Sequence, residues 1–236
     1  MPSEVIIDAR FNGPPSSAQG GYAAGLLAGF VDGPAEVTLR LPPPLATPLE
    51  VVTGSDGARM LLDGELVAEA RPIPSVDVEP PVRPFRFDAE AASARHPARG
   101  RQHAFSSCFV CGPERPDGLH VSAGPLPAAP DVGAAPFDPD PALCADGVVR
   151  PEFIWAALDC PSYTPRLWQR ERLSVLGRIA AELLRPVAAG EQLVVVGWDL
   201  AAEGRKSETA SALLSEEGEV LARARATWIE PRVPVA

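Results

Sequence analysis

DGELVAEARP at residues 63–72 and EGEVLARARA at residues 217–226 share Gly, Glu, Ala and Arg at corresponding positions. Each reads as a tight turn entering a strand. Upstream lie VTLRLPPPLATPLEVV (37–52) and AELLRPVAAGEQLVVVGW (181–198), both apolar, then Pro, then rich in Val and Leu, as two strands meeting at a Pro-marked bend would be. Further upstream, each half has one short helical segment, SSAQGGYAAGLLAGFV (16–31) and RPEFIWAALDC (150–160). These helices are too apolar on all sides to lie on a surface, so the strands of each half must wrap them. The same order of elements occurs twice, and the chain therefore reads as a duplication.

Composition supports a folded chain. Its 236 residues are 46% hydrophobic and 22% charged, enough for one large domain or two small ones. A net charge of −10 excludes a general reader of the phosphate backbone, which needs an electropositive face. No apolar run approaches the roughly 20 residues that span a bilayer, and MPSEVIIDARF lacks the charged-then-apolar pattern of a signal peptide, so a cytoplasmic protein without membrane contact is expected. Pro is concentrated in RPIPSVDVEPPVRPF (71–85) and GPLPAAPDVGAAPFDPDPA (124–142), and the first reads as a connector between halves. Cys108, Cys111, Cys144 and Cys160 have no framework spacing and are expected as reduced thiols.

Three stretches together resemble the hotdog-fold acyl-CoA thioesterases. CFVCGPERPDGLHV (108–121) is similar to the Cys-x-x-Cys-Gly opening of phenylacetyl-CoA thioesterase-like units, AQGGYAAGLLA (18–28) to the Gly-Gly helix start, with Gln19 where many members have His, and FIWAALDCPS (153–162) to the helix that bears their acid. The resemblance implies an α+β fold of two tandem hotdog units, each a curved antiparallel sheet around a central helix, paired as a pseudo-dimer. Residues 1–72 would form one unit, 73–107 the connector and 108–236 the other.

Asp159 is the residue whose placement asks for a reason. Pro151 and Glu152 suit a helix start and Pro161 a helix end, so the helix is expected to stop near Cys160 with Asp159 in its last turn. A negative charge there opposes the helix dipole, and burial raises its pKa. It either caps the turn through Ser162 or performs chemistry. The resemblance implies that it attacks a thioester or activates water, with Gly20, Gly21 and the N–H of Tyr22 polarising the carbonyl. Gln19, Trp155, Ser162 and Tyr163 are its expected companions around the substrate. The first half has a Gly-Gly start without an acid (Ala28 stands in its place), and the second has an acid without Gly-Gly (Pro151 and Glu152 instead). One complete site and one inactive mirror site are thus expected.

Other features carry less. Cys108 and Cys111 are half of a zinc site at most, since neither the other cysteines nor His96, His103 and His120 repeat the spacing, and a turn entering the second unit is the expected reading. Arg205 and Lys206 are either a CoA-phosphate contact or a solvated hairpin turn. Trp168, Trp198 and Trp228 read as core, with Trp155 the best placed to line an acyl tunnel. RLWQRERLSVLGRIAAELL (166–184) has helical periodicity from Leu167 onward before it turns into a strand. The expected function is hydrolysis of a small or medium acyl thioester on CoA or pantetheine, without metal or redox cofactor. A non-catalytic acyl-CoA or lipid-binding module is the rival reading, and further association of chains into a homo-oligomer is left open. A hydratase would need a His beside the acid, and neither helical segment contains one.

Overall fold

The computed structural model of the chain describes residues 3–100, 105–113, 115–170 and 172–232. Its first half contains β1 (Ser3–Ile6), α1 (Gly20–Ala28), β2 (Ala35–Leu39), β3 (Pro48–Gly54), β4 (Gly57–Leu62) and β5 (Glu65–Pro72). A short helix, α2 (Arg86–Ser93), follows. The second half contains β6 (Gly124–Pro125), β7 (Gly133–Phe137), β8 (Cys144–Ala145), β9 (Val148–Val149), α3 (Pro151–Ser162), α4 (Pro165–Trp168), β10 (Val175–Leu183), β11 (Leu193–Glu203), β12 (Lys206–Leu214) and β13 (Val220–Ile229).

The repeated turn-then-strand stretches are β5 and β13. Asp63 and Gly64 (φ 50° and 83°) turn the chain into the first and Gly218 (φ 82°) into the second, conformations that Gly adopts at little cost. Among the described residues eleven strands make one antiparallel sheet in the order β1-β3-β4-β5-β2-β10-β13-β12-β11-β7-β6, while β8 and β9 form a separate ribbon. The halves meet at β2 and β10, where Arg178 to Ala181 pair with Thr38 to Ala35. Both Pro-marked bends join strands, β2 to β3 and β10 to β11.

Burial differs between the halves. Strands β3 and β4 alternate buried and exposed residues, as strands with one wet face do. In β11 the whole run from Leu193 to Trp198 is buried. Val195 faces the core that holds α1 and α3, whereas Val194, Val196 and Trp198 join a second apolar cluster with Val76, Val78, Ala89 and Ala92. The expected connector thus does more than connect: its extended part and α2 cover the outer face of the second half's sheet.

Helices α1 and α3 pack against each other and against the sheet. They run antiparallel, since Gly21 sits at Asp159 and Trp155 while Gly25 sits at Glu152 and Trp155. A Cβ on Gly21 would lie 2.5 Å from the Asp159 Cβ and 2.7 Å from the Trp155 carbonyl, and one on Gly25 would lie 2.6 Å from the Glu152 Cα. Only glycine lets the two backbones approach this closely.

Two local expectations are corrected. Helix α3 does not stop at Cys160 but continues through Pro161 to Ser162. Proline deprives only one carbonyl of its donor in this final turn, and the Ser162 hydroxyl donates to the Asp159 carbonyl (2.7 Å) while Tyr163 N–H donates to Cys160 (3.0 Å). The helical pattern from Leu167 onward is mostly strand: only Pro165–Trp168 is helical, and β10 begins at Val175. A β-bulge at Gly177 shifts the register between Leu176 and Arg178, which puts Leu176 and Ile179 in the same core three residues apart. That spacing imitates a helix face.

The glycine seam is testable by overpacking. Gly25→Val should destabilise the protein by about 3 kcal/mol, lowering Tm by roughly 6–12 °C. Gly29→Ala, at helical φ (−61°) with its new methyl no nearer than 3.3 Å to the Leu26 carbonyl, should change Tm little. Thermal unfolding of the two variants beside the parent decides it, and equal melting temperatures would show that the helices do not need this approach.

Candidate active site

Gln19 is the N-cap of α1, and its amide faces two ways. Its Oε1 accepts from the Tyr22 N–H at 2.6 Å, while its Nε2 donates to Asp159 Oδ2 at 2.5 Å. The same Oδ2 accepts from the Gly21 N–H at 2.7 Å. The carboxylate at the C-terminal turn of α3 therefore serves the N-terminus of α1, where the partial positive charge of a helix start favours an anion. The charge that is misplaced on its own helix is well placed on the neighbouring one.

Asp159 is 3% exposed, and its Oδ1 accepts no hydrogen bond from any described residue. Burial pushes its pKa up to about 7 against the pull of the Gly21 N–H and the Gln19 amide, and the Cys108 sulfur adds to the upward push. A cavity of about 460 Å³, the size of a small-ligand site, is walled by Gln19, Gly20, Asp159, Cys160, Tyr163, Trp168, Leu176 and Trp228 among others. Gly20 is the first residue of α1, and its N–H has no partner among the described residues.

The expected companions divide. Gln19, Gly20 and Tyr163 stand in the cavity wall; Gly21, Tyr22, Trp155 and Ser162 do not. The N–H groups of Gly21 and Tyr22, expected to face a substrate carbonyl, are taken by Asp159 and Gln19. The Tyr22 ring is stacked on Phe11 at 4.2 Å, and its hydroxyl is pushed up to about 12 chiefly by burial. Trp155 lies one turn before Asp159 and fills the notch at Gly25 instead of an acyl tunnel. Ser162 is fully buried, where its oxygen also accepts from Trp228 Nε1 at 3.0 Å and so fixes a ring of the cavity wall. Tyr163 accepts the Ser174 N–H at 3.2 Å, and burial raises its pKa.

Sequence reasoning missed Trp168, Trp228 and Cys160 as wall residues. The tryptophans come from α4 and the end of β13, far apart in the chain, and only the fold brings them to one wall. Cys108 and Cys111 arrive on a segment tied to the first half through Phe109 N–H to the Asn12 carbonyl (2.8 Å) and through Arg115 to the Asn12 side chain. There they meet Cys160, whose sulfur is 3.8 Å from that of Cys108. The thiols of Cys111 and Cys160 and the N–H groups of Cys111 and Val110 hold Cys108 well below the usual thiol range. His96 is buried against Trp168, His120 lies outside the sulfur cluster, and His103 and Glu114 lie outside the described residues.

At the other end of the helix pair, Ala28 carries no acid and Glu152 is 3.5 Å from the Arg150 guanidinium, which itself lies over Phe153. Residues Glu203 to Lys206 form the turn between β11 and β12, where Arg205 donates to the Glu230 carbonyl at 2.8 Å. Among the described residues no helix is long and apolar enough to cross a membrane.

No family model and no curated protein sequence matches the chain. Solved structures do. A candidate thioesterase from Novosphingobium aromaticivorans superposes with a TM-score of 0.63 at 12% identity, covering 98% of this chain and 95% of its own. An acyl-CoA thioesterase II, TesB2, from Mycobacterium marinum gives 0.58 at 16%, covering 98% and 94%. A conserved protein of unknown function with hot dog fold from Alicyclobacillus acidocaldarius gives 0.54 at 15%, covering 99% and 94%. Identities this low carry the fold and nothing finer. Over nearly its whole length the chain has a hotdog-like fold, a large antiparallel sheet with few helices, shared with these structures.

Proposed function

We propose that this protein is an acyl-CoA thioesterase made of two hotdog units in one chain, residues 1–72 and 108–236, joined by 73–107 and sharing one site. The observation that carries the reading is the buried Asp159 carboxylate, held at the start of α1 with its Oδ1 unpartnered, in the wall of a cavity of ligand size. The likeness of fold to an acyl-CoA thioesterase II is consistent with this chemistry.

The geometry supports hydrolysis as follows. An acyl group enters the cavity with its thioester carbonyl toward the free N–H of Gly20. Negative charge growing on that oxygen is met by a backbone donor and the positive end of α1. Gln19 and the Gly21 N–H fix Oδ2 of Asp159, which leaves Oδ1 to take a proton from water as the water attacks, or to attack the carbonyl itself. When water attacks, the acyl carbon–sulfur bond breaks and the thiol leaves with the proton held on Oδ1; when Oδ1 attacks, the thiolate leaves with a proton from solvent, and water then hydrolyses the acyl–aspartyl anhydride to the free acid and the carboxylate. Desolvation makes the carboxylate a stronger base than one in water. The end holding Ala28 and Glu152 has no carboxylate in the corresponding place, and the Arg150–Glu152 pair is structural.

Asp159→Asn keeps the size of the side chain and an oxygen for the Gly21 N–H but removes the basic oxygen. Turnover of acyl-CoA, read by release of free thiol across a series of chain lengths, should fall by roughly a hundredfold or more. Its Tm should fall by no more than about 4 °C, the equivalent of about 1 kcal/mol. Glu152→Gln and Ala28→Ser should hydrolyse at the parental rate. Full activity in Asp159→Asn would reduce the carboxylate to a cap. If the parent protein binds acyl-CoA but releases no thiol at any chain length, it is a binding module.

The Gly20 donor can be removed with little change of shape. Gly20 is the first helical residue, where proline is tolerated, and Gln19 at φ −64°, ψ 127° already has a backbone compatible with a following proline. Gly20→Pro should lower kcat by about 100- to 1000-fold, as the loss of one oxyanion donor does. Gly20→Ala meets the same neighbours, chiefly the flexible Leu176 side chain at 2.9 Å, but retains the N–H and should lose far less. Equal losses in the two variants would mean that crowding, and not the donor, matters.

A further inference from the structure

We infer that Cys108, Cys111 and Cys160 form a binding site for a single zinc ion, opening on the same cavity as Asp159. The reading of Cys108 and Cys111 as a bare turn rested on the lack of further ligands in sequence. The fold supplies one, because the end of α3 carries Cys160 to the turn from a segment remote in the chain. The three sulfurs lie within 4.8 Å of one another. In a tetrahedral zinc–thiolate site with Zn–S of about 2.3 Å, the sulfurs stand about 3.8 Å apart. Cys108 and Cys160 are already at 3.8 Å. The remaining contraction is less than the length of a bond.

The turn itself has the form a thiolate ligand pair requires. The Gly112 N–H donates to the Cys108 carbonyl at 2.9 Å and closes the loop. A Cβ on Gly112 would lie 2.4 Å from that carbonyl and 2.6 Å from the Cys108 nitrogen, so the turn can be this tight only with glycine after the second cysteine. From the other side, the Gln19 Nε2 stands 3.6 Å from the Cys160 sulfur.

Three sulfur ligands and no oxygen select a soft or borderline ion, and zinc fits without a change of oxidation state. Binding converts each thiol to a thiolate bonded to zinc and releases its proton to solvent. The cysteines stand in the cavity wall, which gives the ion a path of entry and leaves its fourth position to water or to a cavity ligand. The Asp159 carboxylate is not within the same 4.8 Å sphere, so it is not assigned as a ligand.

The test uses the full chain, reduced and stripped of metal with a chelator, then titrated with zinc and, separately, with cobalt(II) as a spectroscopic probe. One zinc per chain should be retained on desalting, cobalt should give the near-ultraviolet thiolate charge-transfer absorption, and zinc should protect thiols from a colorimetric thiol reagent. Cys144→Ser, whose side chain lies outside the cluster and contacts the Asp140 carbonyl, should behave like the parent. Cys160→Ser should bind zinc at least about a hundredfold more weakly, given that even outer-shell losses cost 10- to 100-fold. Asp159→Asn should lose hydrolysis and keep zinc, which separates this inference from the proposed catalytic role. Substoichiometric zinc in the reduced parent, a disulfide among these cysteines that persists under reductant, or undiminished zinc affinity in Cys160→Ser would overturn it.

Discussion

A single carboxylate oxygen joins the two helices at the centre of the molecule. Oδ2 of Asp159, on the last turn of α3, accepts from the first turn of α1 and from the cap of that turn. This bond requires that two helix ends of opposite polarity lie almost in backbone contact, and Gly21 and Gly25 make that distance attainable. It also requires that α3 end close to the sheet. Gly197 on β11 permits this, because a Cβ there would lie 1.9 Å from the Pro161 carbonyl, and Ser211 on β12 holds the Leu158 carbonyl at 2.7 Å. Helix start, helix end and the sheet beneath them are thus fixed by the same few small residues.

The electrostatics of the arrangement favour proximity of opposite helix ends over burial of charge alone. A carboxylate at a helix C-terminus is opposed by that helix's dipole, and one in an apolar interior is opposed by desolvation. Two N–H donors and the dipole of α1 offset part of both costs. The remainder is visible in the raised pKa of Asp159. A buried group kept short of full satisfaction in a cavity wall is how sites for proton transfer are commonly built.

Much of the fold was legible in sequence where one physical signal dominated. The acidic–Gly turns before β5 and β13, the Pro-marked bends and the all-round apolar helices each reflect one local cause. Asp159 was legible because a charge beside Cys-Pro in an apolar run contradicts its surroundings. Gly20 and Gly21 were legible as a helix start, but their separate tasks were not, since only the crossing of α1 and α3 shows that the Gly21 N–H is consumed by Asp159. The strand β10 was misread because a bulge at Gly177 gave a strand the spacing of a helix. Trp155 was misplaced because sharing a helix face with Asp159 does not mean sharing a cavity: the notch at Gly25 intercepts it. The meeting of Cys160 with Cys108 has no linear signature at all.

The two outermost strands of the long sheet decide how such a molecule meets another of its kind. At one border β1 has four residues; at the other β6 has two, one of them Pro125, which has no amide hydrogen to offer. A border so short, or lacking a donor, gives an incoming strand few rungs to bind, and a sheet of eleven strands avoids growing into a fibre of sheets. The broad outer surface of β2 to β5 carries charge instead, with Glu36 paired to Arg71 and Arg40 to Glu69. Those charges keep that surface wet and discourage dry stacking. Among the described residues the sheet is therefore eleven strands wide and yet ends in two short rims.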